Sequence, residues 1–175
     1  YYTADWEFAF DVFRDIHSDP CKEFVFILDE KEYFNVGAGA RRHPRLMRDL
    51  FFSNGKGRAP PDLRVAQGRS GSAYSRMHVK CMLLDVSEDD VQPHSIAITG
   101  SANLTYNAVN NNEEWWALHR DPSYLLQLQA SMTELRSRSR QLRAGEVTDV
   151  YDQAVEMEQA AAESAYFKAC KLVTQ

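Results

Sequence analysis

The spacing of apolar residues changes period several times along the chain, and each change predicts an element. Trp6, Phe10, Phe13 and Ile16 recur at helical intervals, so residues 5–16 read as a helix with Thr3 or Asp5 near its cap. Glu23 to Leu28 (EFVFIL) is a short continuous apolar run that fits a buried strand. Helical spacing returns from Pro44 to Phe52, with Leu46, Met47 and Leu50 inward. Ser53 to Pro61 is dense in turn residues and reads as a loop. A short strand over Leu63 to Ala66 follows, then a flexible break, Gly68-Arg69-Ser70-Gly71-Ser72. The apolar run Val79 to Leu84, with His78 and Lys80 in it, predicts a buried strand; Ser95 to Thr99 predicts the next, and Glu114 to Leu118 the last. Asp121-Pro122 caps and starts a helix through Leu125, Leu128, Met132 and Leu135. An alanine-rich amphipathic helix over Val147 to Leu172 carries Tyr151, Ala154, Val155, Ala161, Ala165, Ala169 and Leu172 on one side.

Strands alternating with helices make the class α/β, with helices on both faces of a mixed β-sheet. The chain has 175 residues, 44% of them hydrophobic, enough for a normal core. It divides into a main domain over 1–143 and an acidic, alanine-rich helical segment over 144–175 that packs on the domain or on a dimer. No apolar run is long enough to span a bilayer, and no signal peptide is visible. Cys21, Cys81 and Cys170 are scattered and read as free thiols, which points to an intracellular reducing compartment: cytoplasm, nucleus or an organelle surface. No CxxC or Cys/His cluster suggests zinc.

The chemistry gathers between His78 and Glu114. His78 and Lys80 are two apart, so in a strand both side chains point to one face. Ser101 and Asn103 share a parity just beyond the next strand, which ends at Gly100. If the two strands are neighbours, imidazole, ammonium, hydroxyl and carboxamide converge at one sheet end. That is an anion site with a nucleophile in it. HxK alone is weak, since a lone strand histidine is more often a core residue. The whole set at this spacing is far more specific.

The series His78-x-Lys80-x4-Asp85, Gly100-Ser101-x-Asn103 and Glu114 resembles the HKD signature of the phospholipase D superfamily. The likeness is greatest to members with one motif per chain, the Nuc-type endonucleases and the mitochondrial cardiolipin hydrolase/Zucchini group. It spans residues 1–121 in element order and is sharpest from Arg76 to Arg120. It implies a metal-independent, cofactor-free phosphodiesterase. His78 would attack phosphorus and form a phosphohistidine. Lys80 and Asn103 would hold the non-bridging oxygens, with Ser101 as a further contact. Glu114 would orient the imidazole, and Asp85 and Gly100 would be structural. A second histidine must protonate the leaving group, and the single motif here implies a homodimer with its site on the two-fold axis. A second motif on a preceding segment would make the pair intramolecular instead. Tyr1-Tyr2-Thr3-Ala4 resembles the phrase that closes the family's first strand, implying that most of that strand is missing. The stretch 86–94 departs from the family as an acidic hairpin extension.

Charge bears on the substrate. The net charge is −5, yet Arg41, Arg42, Arg45, Arg48, Lys56, Arg58, Arg64, Arg69, Arg76 and Lys80 cluster ahead of the motif. Arg69 and Arg76 are candidate substrate contacts, and Arg136, Arg138, Arg140 and Arg143 could extend a phosphate track. Tyr74 and Tyr106 are candidates for stacking on bases. Three functions follow: a nuclease on DNA or RNA with single strands preferred, a phospholipase-type lipid phosphodiesterase, or a non-catalytic nucleic-acid-binding member of the fold.

Overall fold

Val25–Asp29 form strand β1 and Asp62–Ala66 strand β2, paired in parallel from Val25↔Asp62 to Asp29↔Ala66. They belong to a computed structural model that describes residues 11, 13, 23–35, 43–52, 61–68, 77–86, 90–103, 108 and 110–173, with backbone alone at 43, 167 and 169–173. Asp29 ends β1 and is almost wholly buried. Its Oδ1 accepts the Glu32 N–H at 3.0 Å, capping the short helix α1 (Glu30–Phe34). Its Oδ2 accepts the Met77 N–H at 2.6 Å, tying the approach to His78 onto the end of β1. Asp29→Ala loses both bonds and leaves a buried donor unpaired. It is expected to cost about 2–4 kcal/mol in urea unfolding; a cost below about 1 kcal/mol would show that the carboxylate pins nothing.

The remaining elements are α2 (His43–Phe52), β3 (Cys81–Val86), β4 (Val91–Gly100), β5 (Trp116–His119), α3 (Pro122–Ser137), β6 (Arg140–Gln141) and α4 (Ala144–Val173). Among the described residues the strands form two three-stranded sheets. The mixed one runs β1-β2-β6, and the wholly antiparallel one runs β3-β4-β5.

Alternation along β1 and β2 divides their side chains between two helical layers. On one face Phe26, Leu28, Leu63 and Val65 join Met47 and Leu50 of α2 and Val147 and Val150 of α4 in the main core. On the other, Ile27 and Ala66 meet Leu135 and Met132 of α3, with Met77 and Val79 beside them. Helices therefore cover both faces of the mixed sheet. Helix α3 also packs on β3 and β4, and Met82 of β3 reaches the main core, so the second sheet is fixed to the first. The expected cap of α3 is present: Asp121 Oδ1 accepts the Tyr124 N–H at 2.9 Å, and Pro122 occupies the first turn.

Several expectations need correction. The strand expected over Val79 to Leu84 starts only at Cys81 and is half-buried, because β3 is an edge strand bonded to β4 alone among the described residues. The last strand begins at Trp116, so Glu114 precedes it. Pro93 and His94 of the 86–94 extension lie inside β4, whose Val91 pairs with Val86. At the bulge between Leu84 and Val86, Asp85 takes φ 55°, a conformation that aspartate tolerates better than most residues. The alanine stripe of α4 is core only at its start: Val147, Val150 and Ala154 are buried, whereas Ala165 and Tyr166 are exposed. Of the helix expected over residues 5–16, only Asp11 and Phe13 lie within the described residues, and Phe13 sits in the main core.

Candidate active site

Three short segments build the site: residues 77–80 before β3, residues 100–103 at the end of β4, and residues 112–115 before β5. The first is set by Asp29 through Met77. Beyond it the His78 side chain is exposed, and the half-buried Lys80 places Nζ 3.4 Å from the His78 carbonyl. Partial burial lowers the Lys80 pKa, and the Glu114 carboxylate opposes that shift by raising it. The ammonium and the carboxylate are thus within electrostatic reach of each other.

The second and third segments are locked together by backbone. The Ser101 N–H donates to the Trp115 carbonyl at 3.2 Å, and the Trp115 N–H donates back to Ser101 Oγ at 3.2 Å. Ser101 Oγ in turn donates to Glu114 Oε2, while Asn112 Nδ2 donates to Glu114 Oε1 at 3.4 Å. The carboxylate therefore bonds to Ser101 and Asn112 rather than to the His78 ring. Close approach of the two segments demands glycine at position 100, where a Cβ would lie 2.3 Å from the Trp115 carbonyl oxygen. Asn103 Oδ1 is buried with no hydrogen-bond partner among the described residues, which leaves an acceptor unpaired there.

The signs of the Lys80 shift give a test. A lowered folded-state pKa means that the charged lysine costs stability, a cost relieved as pH rises through the lowered value. Any activity that needs the ammonium is lost over the same rise. Glu114→Gln removes the opposing charge, so the Lys80 pKa is expected to fall further, read from its side-chain NMR shifts against pH. A rise in that variant would contradict the facing geometry.

Other candidates lie elsewhere. Asp85 is at the far end of β3, 3.6 Å from His94 Nε2, with its carbonyl accepting from the Ser95 hydroxyl. Arg69, Arg76, Tyr74 and Tyr106 are outside the described residues. The expected phosphate track loses its main members to carboxylates. Arg136 pairs with Glu23 at 2.6 Å and Asp62 at 2.8 Å, and Arg140 pairs with Glu146 at 2.7 Å and Glu30 at 3.1 Å. Arg64 pairs with Asp62 at 3.1 Å, and Arg45 with Glu158. Arg48 lies 4.4 Å over the Tyr151 ring. Acidic residues of α4 thus neutralise part of the basic half instead of standing apart from it.

Asp29, Asn112 and Trp115 had no part in the site expected from sequence. Asn112 had a legible cue, since it sits two before Glu114 in a run of asparagines. Trp115 was read with the strand, and nothing local to Asp29 announces that it reaches Met77.

Fold and site together define an α/β protein with Lys80, Ser101, Asn103 and Glu114 at one end of an antiparallel sheet. Residues 56–136 match the family model described as "Cardiolipin synthase, PLD-like domain". The fold is similar to that of NucT from Helicobacter pylori, with a TM-score of 0.56 and 16% identity over 81% of this chain and 78% of that one. No curated protein matches the chain. Both likenesses point to a PLD-like fold, with the family match confined to residues 56–136.

Proposed function

We propose that this protein is a phosphodiesterase of the phospholipase D superfamily that cuts nucleic acid through a phosphohistidine, without a metal. The observation that carries this reading is the Lys80–Glu114–Ser101 cluster beside an exposed His78 imidazole. In the first step an imidazole nitrogen of His78 bonds to phosphorus and the P–O bond to the leaving group breaks. The leaving oxygen takes a proton from a protonated imidazole, assigned to His78 of the partner subunit in a homodimer. Water then attacks phosphorus, the P–N bond breaks, and the water proton returns to that second imidazole. Lys80 and the Asn103 carboxamide face the phosphoryl oxygens as charge develops. Glu114, held by Ser101 and Asn112, faces the ammonium with its negative charge and opposes the fall in pKa that burial imposes.

One observation favours a lipid phosphodiester as the alternative. Trp116 and Leu118 of β5 are 42% and 56% exposed, the kind of apolar rim that a lipid enzyme needs. Among the described residues no helix is long and apolar enough to cross a membrane. The deciding experiment offers labelled single-stranded DNA, RNA and phospholipid vesicles to the protein in EDTA. Cutting of a nucleic acid that survives EDTA is expected. Strict dependence on magnesium, or hydrolysis of the lipid alone, would overturn the proposal.

A further inference from the structure

The feature that the chemistry above leaves unused is the Trp115 side chain. It is 60% exposed although it directly follows Glu114, and its indole takes no hydrogen-bond or ring partner among the described residues. Its backbone is the opposite of free. Both its polar groups are bonded to Ser101, the residue that holds the Glu114 carboxylate opposite Lys80. A broad aromatic face is thus fixed by its main chain one residue from the phosphate-holding cluster and left open to solvent. Trp116, next along, shares a face of β5 with Leu118.

We infer that Trp115 is a stacking platform for a nucleobase flanking the phosphate held at Lys80, which makes single-stranded nucleic acid the substrate class of this site. The inference rests on the phosphodiesterase reading of the same residues and deepens it. Base-stacking grips a strand without a long track of cations, and it is largely indifferent to sequence. That fits the charge pattern, because Arg64, Arg136 and Arg140 are held by carboxylates and add little free positive charge for the phosphates. A duplex keeps its bases stacked inside and cannot offer a base to the indole, and a lipid headgroup has none to offer.

The test uses the full chain with two fluorescent strands, one of thymidines and one of equal length made of tetrahydrofuran abasic residues. Binding is read by anisotropy and cleavage by gel, for wild type, Trp115→Ala and Trp115→Phe. Trp115→Ala is expected to weaken binding and raise KM for the thymidine strand roughly tenfold to a hundredfold. The abasic strand should be unaffected, and Trp115→Phe should recover most of the loss. Equal losses on both strands would reduce Trp115 to a structural residue and overturn the inference. So would a wild-type KM in Trp115→Ala, or a shift from dimer to monomer in light scattering, which would make the indole a subunit contact. Base-dependent binding through Trp115 without any cutting would sink the catalytic reading and leave the platform standing.

Discussion

His78→Ala is expected to abolish phosphodiester cleavage, with kcat falling at least about ten-thousandfold, as when other covalent nucleophiles are removed. The fold should survive almost untouched, within about 0.5 kcal/mol, because the side chain is exposed and lies before β3, outside both hydrophobic clusters. That separation makes the variant informative: lost activity cannot be blamed on lost structure. The rate is measured on a labelled oligonucleotide in EDTA, beside a thermal unfolding curve for each protein. A rapid-quench experiment adds the covalent step. Wild type should retain label through an acid-labile, alkali-stable linkage, and the alanine variant should retain none. Activity that persists without His78 would end the phosphohistidine mechanism, whatever the substrate. Retained label in the variant would move the nucleophile to another residue.

Much of this architecture could be read from periodicity because each element buries one face locally. Met47 and Leu50 in α2 and Leu125 and Leu135 in α3 fall at the inward positions that their spacing predicted. The parity of His78 with Lys80, and of Ser101 with Asn103, assumed strands that stop short of them, since β3 begins at Cys81 and β4 ends at Gly100. What the pattern could not show depends on partners distant in sequence. Asp29 holds Met77 from 48 positions away, and Arg136 reaches Glu23 across 113. Counting arginines in one stretch suggested a free basic surface, because the carboxylates that neutralise them lie on other elements. The two-residue strand β6 has no period at all and exists because Gln141 and Arg140 pair with Arg64 and Val65. Edge position was equally invisible, and with it the half-burial of β3.

Gly100→Ala is the second large effect, and it probes the joint between fold and site. Gly100 pairs with Trp116, and an added Cβ would meet the Trp115 carbonyl oxygen at 2.3 Å and the Trp116 Cα at 3.4 Å. Both obstacles are backbone, so no rotamer change relieves them, and β4 and β5 must separate locally. The separation should cost about 1–3 kcal/mol, as overpacking does. It acts where Ser101 and Trp115 exchange their bonds, so Glu114 moves with it and Lys80 loses the charge opposite. Activity is therefore expected to fall with stability, by about a hundredfold or more if one oxyanion-binding group is misplaced. Gly145→Ala supplies the contrast: a Cβ there meets nothing within 4 Å, and as the second residue of α4 it should change stability by no more than about 0.5 kcal/mol. Thermal unfolding and kcat on the two variants separate the outcomes. If Gly100→Ala unfolds like wild type and cuts at the wild-type rate, the close contact between the strand end and Trp115 is not what positions the carboxylate.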